Sequence, residues 1–223
     1  WRAAAEGVEM VLATARAVST HPGAAAFMPQ WPPAALAVIS LGGLWFCLQR
    51  APWRIAGLAA LPLAALLIAA TRSPDIFVSG RAANAAVFAP ESKVIAVLEP
   101  RRNRFSSRVW MEHAGLDPYA STPLPMTSAG RCDAAGCVVE RRGVAVSFLT
   151  DPLALAEDCE RAGLVVAFFP VSDAHRARCA ARLIDRRDLW RDGAHAVWIG
   201  RNGSARIRTV AEGGERPWTN PRR

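Results

Sequence analysis

The chain has 223 residues, 52% hydrophobic and 21% charged, with a net charge of +8 from 27 basic and 19 acidic side chains. The stretch beyond residue 71 is about 150 residues long, which excludes a chain too short to bury its own core and fits one domain. Every basic residue except Lys93 is arginine, a bias that suits phosphate or anionic headgroups at low specificity. The first residue is Trp1, and residues 1–6 lack the basic-then-apolar layout of a signal peptide, so the sequence reads as part of a longer protein.

Residues 6–19 come first. Val8, Val11, Leu12, Ala15 and Val18 recur at helical spacing, which predicts an amphipathic helix ending before His21. It lies along a bilayer surface or packs on another part of the protein. Four prolines between Pro22 and Pro33, with Trp31 among them, make residues 22–33 an interfacial segment. Two charge-free runs follow, residues 34–48 and 55–70, joined by a short connection holding Arg50, Pro52, Trp53 and Arg54. Each run is apolar all the way round, which points to a transmembrane helical hairpin over residues 34–71 rather than a buried hairpin in a soluble core. Each is also shorter than the ~20 residues of a typical span, and flanking tryptophan and proline make up the difference. Arg50 and Arg54 sit in a short loop, so the positive-inside bias places residues 49–54 in the cytoplasm and both hairpin ends on the opposite side. In a bacterial inner membrane that side is the periplasm, and the expectation is a multi-pass protein with residues 72–223 periplasmic. Cys47 is expected to be a small packing residue inside the first of these helices.

From residue 72 onward the pattern is that of an extracytoplasmic α/β (α+β) domain reaching residue 211. Residues 75–79, 84–88 and 93–98 read as strands, and residues 106–113 as a helix ended by Gly115. Residues 117–131 are rich in Pro, Ser, Thr and Gly and predict an exposed loop. Strands are expected over residues 138–140 and 144–149, turning at Arg141-Arg142-Gly143. Asp151-Pro152 caps a helix running to residue 162, and residues 164–169 form a buried strand. A loop carrying His175 and Cys179 comes next. Residues 194–199 and 205–210 pair around Asn202-Gly203, and residues 212–223 form a disordered tail.

Cys132, Cys137, Cys159 and Cys179 all fall in the domain placed outside the cytoplasm, where an even count predicts two disulfides. Cys132 and Cys137 are close enough to clip their loop, leaving Cys159 with Cys179. The alternative is a zinc site of Cys159, His175, Cys179 and His195, if the segment around His175 is helical. Asp185, Asp188 and Asp192 stand among Arg186, Arg187 and Arg191, a salt-bridged turn rather than a catalytic cluster. Arg101, Arg102, Arg104 and Arg108, with Phe105 and Trp110, are candidates to track a nucleic-acid backbone and stack bases; a solvated basic loop is the plain alternative. No Walker loop, dinucleotide fingerprint, nucleophile elbow or zinc-hydrolase motif is present, and no cofactor or metal is expected.

In this order of elements, residues 73–79 (SPDIFVS), 158–167 (DCERAGLVVA) and 182–193 (RLIDRRDLWRDG) carry a resemblance. The chain resembles the C-terminal third of the ComEC competence family, whose members form the inner-membrane channel for incoming single-stranded DNA. The resemblance covers nearly the whole chain and is most specific at residues 183–193. It implies that the last membrane helices lead into a metallo-β-lactamase-like sandwich. The histidine-rich metal motif of complete members is missing here, as is the glycine-rich segment before it. What it implies is a degenerate, non-catalytic domain on a DNA-uptake channel. The implied partners are single-stranded DNA, the lipid bilayer, the N-terminal channel helices that precede residue 1, and other competence proteins. An active metal-dependent periplasmic nuclease, or a membrane-anchored binding module with no DNA role, are the other functional classes.

Overall fold

A computed structural model describes residues 2–21, 23–24, 26–81, 84–89, 94–98, 103–117, 122–123, 130–200 and 202–214. The first helix, α1 (Arg2–Ser19), begins four residues before the predicted start at residue 6 and is exposed along its described length. Pro32 and Pro33 then open α2 (Pro33–Leu48), with Pro33 at a position where its missing N–H costs nothing. After the Arg50 connection the chain is helical from Pro52 to Ala70. Its first eight residues, Pro52–Ala59, are wound as a 3-10 helix and the rest is α3 (Ala60–Ala70). The 3-10 stretch is unusually long, and its larger rise per residue stretches the segment to about 32 Å. The segment Pro52–Ala70 is long and apolar enough to cross a membrane. At 16 residues α2 is not, spanning about 24 Å against a hydrocarbon core of about 30 Å.

The two arms of the hairpin meet through glycine. A Cβ at Gly42 would fall 2.7 Å from the Gly57 carbonyl oxygen, and one at Gly57 2.5 Å from that of Gly42, so any side chain would force them apart. Trp45 meets Trp53 edge to face at 5.1 Å, and Arg54 lies over the Phe46 ring at 5.4 Å. Leucines on both arms face outward, and only Ala35 and Ala64 are buried. Cys47 is exposed; the packing role expected of it is not what the structure shows, because the inward side of α2 is taken by small residues.

Beyond Arg72 the described residues build two sheets. The first contains β1 (Ile76–Val78), β2 (Ala85–Ala89), β3 (Val94–Val97), β4 (Thr122–Pro123), β10 (His195–Ile199) and β11 (Ala205–Thr209), in the order β11-β10-β1-β2-β3-β4. The second contains β5 (Gly130–Cys132), β6 (Gly136–Arg141), β7 (Val144–Leu149), β8 (Leu164–Ala167) and β9 (Arg182–Ile184), ordered as numbered. Arg142 and Gly143, at φ of 53° and 75°, make the tight β6–β7 turn, one residue shorter than expected because Arg141 pairs with Val144 in the ladder. From β7 to β9 the pairing is parallel, so helices must cross over: α5 (Leu155–Arg161) and then α6 (Asp173–Arg178). Ser172 caps α6 by accepting from His175 N–H, and this helix stands where a loop was expected. The remaining helices are α4 (Arg104–His113), two residues longer than predicted because Asn103 caps it, and α7 (Arg186–Asp192). Residues 211–213 form a 3-10 turn, so the expected tail begins no earlier than residue 215, outside the described residues.

The two sheets face each other. Ile76, Val87 and Val197 of the first pack with Val146, Phe148 and Val166 of the second in one buried cluster. The outer faces are covered by helices: α4 lays Trp110 and Met111 against Phe77 and Val97, and α5 lays Leu155 and Cys159 against Val165 and Ala167. The order of layers is helix, sheet, sheet, helix.

Both ends of the hairpin are tied to this domain. Before α2, Gln30 N–H donates to the His113 carbonyl at 3.0 Å, and Pro29 bridges Ala114. After α3, Arg72 donates to the Ile199 carbonyl at 2.7 Å, and Trp198 Nε1 donates to the Arg72 carbonyl at 2.8 Å. Buried Asp75 completes this junction. It accepts from Ile199 N–H at 2.9 Å and pairs with Arg72, Arg141 and Arg142 at 3.0–3.5 Å.

Candidate functional site

Three elements run from the hairpin junction to the opposite end of the domain. β1 leads from Asp75 to Ser79, β10 returns from His195 to Ile199, and α4 runs from Asn103 to His113. Ten helical residues cover about 15 Å, so the far ends of these elements are about that distance from the junction. There they enclose a cleft of about 840 Å³. Gly80 forms its floor against Gly193 and Ala194, and a Cβ at Gly80 would come within 2.7 Å of Gly193 backbone. The walls are Arg81 from the turn after β1, Ser106 and Trp110 from α4, and Trp190 and Arg191 from α7. No carboxylate lines it among the described residues.

The wall formed by α7 is set by its N-terminus. Asp185 is fully buried, and its Oδ1 accepts from the N–H of Arg187 and Asp188 while its Oδ2 accepts from Val171 N–H. Asp188 returns the bond by accepting from Asp185 N–H at 3.1 Å, a reciprocal capping box. Arg176 bridges both carboxylates at 3.0 and 2.8 Å. Burial pushes the Asp185 carboxyl up, but the N–H donors of Asp188 and Val171 together with Arg176 outweigh it and hold it below its ordinary range. Arg191 pairs with Asp188 and Asp192, and its bond to Asp192 lowers that carboxyl too. The acidic trio is therefore occupied by arginine, along a capped helix where a turn was expected.

The cysteines are joined as Cys132–Cys137 and Cys159–Cys179. Cys132 and Cys137 stand directly opposite in the β5–β6 ladder, and Cys159 of α5 reaches the residue that ends α6. With both sulfurs of the second pair in a disulfide, the zinc alternative loses two ligands. Its histidines are apart as well: His175 is exposed with Nδ1 2.7 Å from Ser172 Oγ, while His195 is buried with Nδ1 donating to the Gly193 carbonyl at 2.9 Å. Among the described residues no three His, Cys, Asp or Glu side chains gather to hold a metal.

Of the proposed DNA-backbone residues, Arg101 and Arg102 lie outside the described residues. Arg104 opens α4 and Arg108 follows one turn later, both exposed, with Phe105 exposed beside them. Trp110 is not part of that exposed set; it stacks on Phe77 in the core at 6.1 Å and only borders the cleft. Arg81, Trp190 and Arg191 were not picked out by sequence as one site. The available signal is Trp190, an aromatic set four and three residues after Arg186 and Arg187 on a helix that leaves it 53% exposed. Among known proteins, no family model, no curated protein and no solved structure matches this chain.

Proposed function

We propose that this chain is the C-terminal portion of an inner-membrane channel for uptake of transforming single-stranded DNA, of the ComEC kind. Its soluble domain is a non-catalytic, metallo-β-lactamase-like relic on the periplasmic side. The observation that carries the reading is an outward-apolar helical hairpin fastened at both ends to a two-sheet, disulfide-bearing domain. The helix–sheet–sheet–helix layering supports descent from a hydrolase sandwich. Phosphodiester cleavage by a metal ion needs three or four converging ligands to polarise the phosphoryl oxygen and generate hydroxide. The dispersed His175 and His195 and the arginine-bound Asp185, Asp188 and Asp192 do not form such a set.

The test is to incubate the full chain in detergent with labelled single- and double-stranded DNA and Zn²⁺, Mn²⁺ or Mg²⁺. The expected result is binding that weakens as salt rises, without cleavage. Metal-dependent cleavage that disappears in His175→Ala or His195→Ala would contradict the non-catalytic assignment. Salt-insensitive or absent DNA binding would favour a binding module with no DNA role.

A further inference from the structure

We propose that the cleft between the β1–β2 turn and α7 is the site that takes the strand, a nucleotide-binding mouth at the membrane-distal end of the domain. This inference rests on the DNA-uptake reading above. Arg81 is exposed and enters none of the ion pairs formed among the described residues, so its full charge faces the cleft's contents. Arg191 adds a second guanidinium, held in place by Asp188 and Asp192. Trp190 offers a half-exposed indole face on the same wall.

Guanidinium groups beside an aromatic face, with no lining carboxylate, match a ligand that is anionic and planar in alternation. Phosphates and bases of a single strand meet that description, and stacking on tryptophan is tolerant of sequence. An anionic lipid headgroup shares the phosphate but not the base. Position separates the two as well. The hairpin leaves the domain at Arg72 and Gln30; β1 carries the chain from that junction to the cleft, and β10 and α4 bring it back. On the membrane reading, a cleft about 15 Å from both chain exits is set back from the points where the hairpin enters the bilayer. Arg104 and Arg108 on α4 then lie along the route from cleft to hairpin, beyond the mouth itself.

Fluorescent oligothymidylate, titrated into the full chain in lipid nanodiscs, is the probe. Arg81→Glu is expected to weaken binding by about tenfold or more, while Arg131→Glu, the same charge change on edge strand β5, leaves it within about twofold. Trp190→Ala should lose about tenfold and Trp190→Phe should recover most of it. Variants are compared at equal thermal midpoint, so a folding defect is seen separately. Equal losses in Arg81→Glu and Arg131→Glu would overturn the cleft while leaving DNA binding intact. Absence of oligothymidylate binding in the unmodified chain would overturn the underlying reading too. Binding to phosphatidylglycerol vesicles that falls in Arg81→Glu as much as oligothymidylate binding does would assign the cleft to headgroups, and inhibition by inorganic phosphate alone at equal strength would remove the role of the base.

Discussion

The hairpin and the domain are built on opposite rules. In the domain, Phe148, Ile76 and Val166 are fully buried and arginines stand on the surface or over carboxylates. In the hairpin, Leu41, Leu58 and Leu66 face outward, while the buried positions are Ala35 and Ala64 and the closest approach is at Gly42 and Gly57. On the proposed membrane reading, one chain carries two solutions to two solvents. Water drives large side chains inward, whereas lipid offers no such drive and leaves close backbone packing between small residues to hold helices together. On that reading an exposed leucine has a different meaning on either side of Arg72.

Truncation of core side chains breaks this contrast most sharply. Phe148→Ala empties the centre of the two-sheet core and should cost about 3–5 kcal/mol of domain stability. Leu66→Ala, at a residue 65% exposed on the hairpin, should leave the domain's urea midpoint unchanged. Equal shifts in the two denaturation curves would mean that the hairpin belongs to the same water-excluded core.

Covalent bonds sharpen the comparison next. Cys159–Cys179 closes a separation of 20 residues and Cys132–Cys137 one of 5. By loop entropy the larger contributes about 3 kcal/mol and the smaller about 2 kcal/mol. The double Cys→Ser variant of each pair, unfolded in urea, should rank in that order. Recovery of four free thiols from protein isolated without reductant would deny the pairing itself.

The smallest effect concerns the seam between the regions. Burial lowers the His113 imidazole below its ordinary value of 6.5, and the ring meets Phe77 edge-on at 5.5 Å. The folded state therefore favours neutral His113, and the unfolded chain takes up the proton first. Stability from this group is present above pH 6.5 and is lost as pH falls from there toward the lowered value. The thermal midpoint should drop between pH 7.5 and 5.5, and His113→Phe should flatten that drop. A midpoint that rises on acidification would reverse the sign of this account.

What could be read from the sequence was whatever depends on neighbours along the chain. The charge-free runs, the Arg142-Gly143 turn and the Asp151-Pro152 helix start rest on local pattern, and each is present. The 3-10 winding of Pro52–Ala59 is not announced by composition, since the same residues suit an α-helix. Six-residue α6 is too short to show a period, and only its Ser172 cap marks it. Asp75 looked like a strand residue because its partners Arg142 and Ile199 lie 67 and 124 positions away. The cleft was illegible for the same reason: Arg81 and Trp190 meet only once β10 has paired beside β1.

The central claim is that lipid surrounds the hairpin and that the domain stands on the side opposite the Arg50–Arg54 connection. Cysteine labelling tests it in one experiment, with Cys47→Ser removing the free thiol and single cysteines placed at Ala51 and at Leu153, which is 90% exposed on the domain. In intact spheroplasts an impermeant maleimide should label Leu153→Cys, and Ala51→Cys only after the membrane is opened. Labelling of Ala51→Cys in intact spheroplasts, with Leu153→Cys protected until lysis, would place the domain in the cytoplasm and contradict the account.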